Sequence, residues 1–107
     1  MTAERIRDLN DAFRRSLSGG KVMMTAGIAA LPVAVRVMVL EEARKFEAFT
    51  GDNDPYDEHD FGSFEVDGHK VFWKIDYDDA NIQFGSEDPA DPSRTTRVLT
   101  IMLKSEY

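Results

Sequence analysis

The chain has 107 residues, of which 42% are hydrophobic, with 20 acidic and 13 basic side chains and no cysteine. This length and apolar share predict one domain, residues 1–107, around one core. The formal net charge of −7 argues against direct nucleic-acid binding, which needs basic groups to neutralise phosphates, and the missing thiols exclude disulfides, thiolate nucleophiles and Cys-ligated metal centres.

The charge is divided unevenly along the chain. Between Thr50 and Pro92 lie 13 of the 20 acidic residues but only two of the 13 basic ones, Lys70 and Lys74, a local balance of −11. A field of one sign governs which partners approach while saying little about fold. The N-terminus lacks the apolar core of a secretory signal. The longest apolar run, Ile28 to Leu40, is broken by Pro32 and Arg36 and is too short to span a bilayer. A cytoplasmic protein with no membrane contact is the resulting expectation.

From Thr2 to about Leu17, Ile6, Leu9, Phe13 and Leu17 fall at helical spacing, with Arg14 among the charged residues assigned to the other side. Gly19 and Gly20 end that helix, and Lys21 to Thr25 reads as a short buried strand bounded by glycines. A second helix is predicted from Pro32 to about Phe49, with Gly51 capping its end. Its main stripe is Val35, Met38, Val39, Ala43, Phe46 and Phe49. A second stripe of Val33, Val37 and Leu40 predicts enclosure on a further side, within the domain or at a subunit contact, and Glu41 and Lys45 stand as an i, i+4 pair.

Phe61–Val66 and His69–Tyr77 flank Asp67-Gly68, a dipeptide favoured in two-residue hairpin turns. That turn sets the pairing from Val66 with His69 to Phe61 with Lys74. One face then collects Phe64, Val66, Val71, Trp73, Ile75 and Tyr77 as the core side, with Gly62 making room opposite Trp73. The last segment, Thr95–Leu103, is apolar on both alternating faces and reads as a central strand, the alternative being a helix opened by Asp91 and Pro92. Together these elements predict an α+β domain with two helices packed on one face of a small, mainly antiparallel sheet, in the order α, β, α, β, β, β.

The densest polar stretch is Gly51 to Asp60. Asp52 and Asp54 imitate the start of a calcium loop, but Tyr56, Asp57 and Ser63 occupy the positions of a third ligand, the turn glycine and the bidentate glutamate, which excludes an EF-hand. A looser divalent site of Asp57, His59 and Asp60 competes with a simply solvated acidic loop, and the solvated loop is favoured. If the hairpin continues past Asp60, His59 stands across from Asp76 with Lys74 on the same face, a trio able to transfer protons; an ion pair at a hairpin end is the favoured reading of the same residues. Asp60-Phe61-Gly62 lacks the companion motifs of a kinase, Gly19-Gly20-Lys21 lacks the remainder of a P-loop, and no serine has a nucleophile-elbow setting. No motif calls for a cofactor.

The run Asn53-Asp-Pro-Tyr-Asp-Glu-His-Asp-Phe-Gly-Ser-Phe, then Trp73-Lys-Ile-Asp-Tyr77, then Asp88-Pro-Ala-Asp-Pro and Thr95 to Leu103, resembles a family of small bacterial proteins described only as a domain of unknown function. The resemblance covers nearly the whole chain. It implies an intracellular bacterial protein of accessory character on plasmids and other mobile DNA, and it carries no reaction, cofactor or catalytic residue.

Three functional expectations follow. The first is a small acidic binding protein whose Asp52, Asp54, Asp57, Glu58, Asp60, Asp78 and Asp79 contact the basic surface of a partner, such as a nucleic-acid-handling protein that it inhibits, the carboxylates standing in for phosphates. The second is a small enzyme or divalent-metal-dependent protein centred on His59, Lys74 and Asp76. The third is a structural or homo-oligomeric subunit using Val33, Val37 and Leu40.

Overall fold

A computed structural model describes residues 2–82 and 84–107. Helix α1 (Thr2–Ser16) leads to strand β1 (Gly20–Met24), a single-turn helix α2 (Ala26–Ala29) and helix α3 (Val33–Lys45); strands β2 (Phe61–Val66), β3 (His69–Asp78) and β4 (Thr96–Leu103) follow, closed by a 3₁₀ turn at Lys104–Glu106. The fold is α+β, with the short α2 added to the predicted order. The four strands are arranged β1-β4-β3-β2, with β1 parallel to β4 and the other pairs antiparallel. No helix among the described residues is long and apolar enough to cross a membrane.

The β2–β3 hairpin forms in the predicted register, residue for residue, from Val66 opposite His69 to Phe61 opposite Lys74. Its turn places Asp67 at φ 51° and Gly68 at φ 78°, the paired left-handed conformation that matches the twist of the flanking strands. Inward-facing Val71 and Trp73 are fully buried, and Phe64 and Tyr77 pack partly buried against the same core. A Cβ at Gly62 would collide with Trp73 Nε1 and approach Phe46 Cε1 to 2.8 Å. The glycine is what makes room for the indole beside β2.

Strand β4 sits between β1 and β3 and buries residues of both faces: Arg97, Leu99 and Ile101 on one, Val98 and Met102 on the other. The alternative helix opening at Asp91 does not form; Asp91 instead accepts hydrogen bonds from the Ser93 amide and hydroxyl in a turn. The core joins Phe13 of α1, Ile28 of α2 and Val35, Val39 and Ala43 of α3 to that inner sheet face.

Helix α3 departs from its expected span. It ends at Lys45, and Phe46 turns extended at φ −57° and ψ 130°, so Gly51 lies too far along the chain to cap it. The cap comes from α1: buried Arg14 donates through Nη1 to the carbonyls of Ala43 (2.8 Å) and Arg44 (3.0 Å). These are last-turn carbonyls with no partner inside the helix, and the cation also suits the negative end of its dipole. Phe46 is then free to leave the helix and pack edge-on against Trp73, with ring centroids 5.6 Å apart. Met38, expected in the buried stripe, is 50% exposed, and Val33 and Val37 are not enclosed within the domain. Glu41 pairs with Arg44 at 2.8 Å in place of Lys45.

Candidate functional site

Residues 46–60 connect α3 to β2 and are folded by their own short polar side chains. Asn53 accepts from the Thr50 amide (2.8 Å) and donates to the Ala48 carbonyl (3.0 Å). Asp54 Oδ1 accepts from the amides of Glu58 (3.0 Å) and His59 (3.1 Å), which closes a second turn. Within that turn Asp57 (φ 56°) and His59 (φ 55°) adopt left-handed backbone, a conformation that short polar residues and histidine enter more readily than others.

Those turns place His59 beneath α1. Its imidazole stacks on Phe49 at 3.8 Å with planes 2° apart, and Nδ1 bonds the Asp11 carboxylate at 2.9 and 3.1 Å. Asp11 also receives Arg14 Nη2 at 3.1 Å. On the other side of the ring, Nε2 faces Asp54 Oδ2 at 3.6 Å and Asp57 Oδ1 at 3.7 Å. Asp57 Oδ2 is taken by Arg7 Nη1 at 2.6 Å.

A second polar group adjoins the first. Fully buried Asn10 donates through Nδ2 to the Glu58 carbonyl (2.9 Å) and to the Tyr77 hydroxyl (2.8 Å), and its Oδ1 accepts from Arg97 Nε (2.8 Å). The Tyr77 hydroxyl in turn donates to Glu58 Oε1 at 3.0 Å. Burial, reinforced by nearby Asp60 and Glu58, pushes the Tyr77 hydroxyl far above its ordinary range. Arg97 donates to the Pro89 carbonyl and lies 5.4 Å from the Tyr77 ring centre; burial lowers its guanidinium from the usual value. Desolvation, followed by the charges of Glu58, Asp54 and Asp76, raises the Asp60 carboxyl.

The trio of His59, Lys74 and Asp76 is not assembled. Lys74 pairs with Asp76 at 3.1 Å on the sheet face away from the helices, while the imidazole is held on the helix side by Asp11 and Phe49. The hairpin reaches Asp60, whose carbonyl accepts from the Ile75 amide at 2.8 Å, but the pairing does not extend beyond it to set His59 across from Asp76, and His59 itself takes left-handed backbone. The looser metal set is altered in the same way: Asp57 and His59 converge with Asp54 within 4.8 Å, whereas Asp60 is not part of that group.

The seven acidic residues expected to meet a partner divide by environment. Asp54 is buried and braces its turn, Asp57 is ion-paired, and Glu58 is bonded to Tyr77. Asp52 is exposed. Asp78 bridges Gly85 at the end of β3, and Asp79 accepts from the Asn81 amide. Asp60 lies close enough to Glu58, Asp54 and Asp76 for their charges to raise its carboxyl, whereas Asp78, like Asp76, alternates onto the sheet face opposite Tyr77. Asn10, Asp11, Arg14 and Arg97 were not foreseen as part of this site. The readable signal for the first and third is the buried line Ile6, Asn10, Arg14 at four-residue steps, a stripe in which polar side chains demand buried partners.

No curated protein and no solved structure matches the chain. A family model does, over residues 24–106, which takes in α2, α3, the loop and the strands β2 to β4 but leaves Asn10, Asp11 and Arg14 outside. The chain belongs to the family described as protein of unknown function DUF3768.

Proposed function

We propose that this chain is a non-enzymatic acidic binding protein of the bacterial cytoplasm, whose carboxylates at the end of β3 and the entry to β2 engage a basic surface on a protein partner. The carrying observation is the proximity of Glu58 and Asp60 at the entry to β2: Glu58 is bonded to Tyr77, the Asp60 carbonyl accepts from the Ile75 amide, and the Glu58 charge helps to raise the Asp60 carboxyl, with Asp78 at the end of β3. Like charges held together this way raise one another's ionisation cost, as the raised Asp60 carboxyl reflects after its burial is counted. A cationic partner relieves that repulsion. In this reading Asp52, Asp78 and Asp79 contribute further negative charge, while buried Asp54 and Arg7-paired Asp57 contribute scaffold. A nucleic-acid-handling protein that normally grips phosphates offers the matching Lys and Arg surface, and its occupation by carboxylates would inhibit it.

Affinity capture from host lysate tests this reading. The full chain as bait recovers a basic protein at about 50 mM salt and loses it at about 300 mM, because screening shortens the reach of exposed charges. Recovery of no basic protein at low salt contradicts it.

A second reading, self-association through α3, is supported by Val33 (66% exposed), Val37 (57%) and Met38 (50%) on one helix. Sedimentation equilibrium then shows mass rising with concentration; a constant monomer mass removes it.

A further inference from the structure

We propose that His59, Asp54 and Asp57 form a binding site for a divalent transition metal of the zinc type, with Asp11 as the residue that orients the imidazole. The inference is independent of the partner-binding reading, since it concerns the helix side of the loop and needs no second protein.

The distances carry it. Hydrogen bonds to a ring nitrogen run from about 2.7 to 3.2 Å, yet Nε2 stands 3.6 Å from Asp54 Oδ2 and 3.7 Å from Asp57 Oδ1, and the three donor atoms all lie within 4.8 Å of one another. Zinc bonds nitrogen and oxygen at about 2.1 Å, so neighbouring ligands on a tetrahedral shell sit about 3.4 Å apart. The two His59–Asp separations are longer than hydrogen bonds and close to the spacing of neighbouring ligands on such a shell.

Each ligand is also presented in the form a metal requires. The Asp11 carboxylate engages Nδ1 at 2.9 Å, which leaves Nε2 as the metal-facing nitrogen when the proton resides on Nδ1; this carboxylate–histidine pairing fixes tautomer and ring angle. Phe49, stacked 3.8 Å away, fixes the ring plane. Asp54 is more than nine-tenths buried, spends Oδ1 on two backbone amides and turns Oδ2 toward the ring. Arg7 holds Asp57 Oδ2 and leaves Oδ1 for the ion. A cavity of about 330 Å³ is lined by Phe49, Asp54 and Asp57. One imidazole with two carboxylates favours Zn²⁺ over Mg²⁺, which prefers an all-oxygen shell.

The test is isothermal titration of the chelator-treated full chain with ZnCl₂. One zinc binds per chain, undisturbed by about a hundredfold excess of Mg²⁺, and Co²⁺ in its place gives visible bands that report the nitrogen–oxygen shell. His59→Gln abolishes binding, Asp57→Asn and Asp11→Asn each weaken it at least about tenfold, and His69→Gln leaves it unchanged. If His59→Gln does not fold, Asp57→Asn decides, because that side chain is 68% exposed. Zinc binding that is absent from the wild type, or that survives Asp57→Asn or a folded His59→Gln at full affinity, overturns the proposal.

Discussion

At the scale of single residues, Asn10 does the most with the least surface. Its side-chain amide serves the Glu58 carbonyl, the Tyr77 hydroxyl and Arg97 Nε at once, so Asn10→Leu keeps the volume and leaves three groups without that partner. Unpaired buried groups cost about 1–3 kcal/mol each when nothing replaces the bond, and we expect a loss of about 3 kcal/mol in urea denaturation, followed through the single, fully buried Trp73. A loss below about 0.5 kcal/mol would mean water substitutes freely. Gly62→Ala tests the indole contact: overpacking typically costs about 1–3 kcal/mol, and a neutral result would show that Trp73 can move. Both glycine and indole were readable from the hairpin pattern, because pairing across a short turn is local. Asn10 was not, since its partners lie 48, 67 and 87 residues away.

Two carboxyls give pH dependences of opposite sign. Glu106 is held below the ordinary value of 4.5 by the Thr25 hydroxyl, then by the Leu103 and Gly27 amides. Its contribution is present above that ordinary value and lost as pH falls through the lower folded one, so Glu106→Gln lowers the melting temperature at pH 7 and converges with wild type in acid. Asp60 is raised above its ordinary 3.8 by burial and then by neighbouring carboxylates. Its cost is full above the raised value and absent below the ordinary one, so Asp60→Asn raises the melting temperature at neutral pH and the gain fades in acid. Thermal melts at several pH values check both.

At the scale of elements, the end of α3 shows where local reading stops. Pro32 and the apolar run marked the helix start, and Gly51 was the nearest residue of cap type, but the stop is imposed by Arg14 from another helix. A charged residue in an amphipathic pattern is ordinarily assigned to solvent; here its guanidinium lies 5.0 Å from the Trp73 ring centre and 5.5 Å from that of Phe49, fully buried. Arg14→Met retains the apolar contact and removes the cap. Bonds from a charged donor are worth about 1.5–3 kcal/mol, so we expect a loss of about 2–3 kcal/mol together with faster amide exchange in the last turn of α3. Unchanged exchange there would show that the carbonyls find water instead. The strands were legible because alternation and turn chemistry are short-range, whereas the His59 trio failed because a single left-handed residue reverses the direction of a side chain.

At the scale of the molecule, the acidic middle of the chain contains three groups of carboxylates in different settings. Asp54 and Asp57 sit around His59, Asp76 and Glu87 are ion-paired with Lys74 and Arg94, and Glu58, Asp60 and Asp78 lie where β2 begins and β3 ends. Composition located the charge; only the fold separates scaffold from surface. The most direct test compares two baits with equal net charge. Glu58→Gln/Asp60→Asn/Asp78→Asn removes three charges at the sheet end, and Glu4→Gln/Glu42→Gln/Glu65→Gln removes three exposed charges elsewhere. With the captured basic protein at about 50 mM salt, the first bait should lose binding by at least about tenfold, or about 1.4 kcal/mol, while the second stays within about twofold of wild type. Equal weakening of both baits would show that net charge alone attracts the partner and would contradict a localised acidic binding surface.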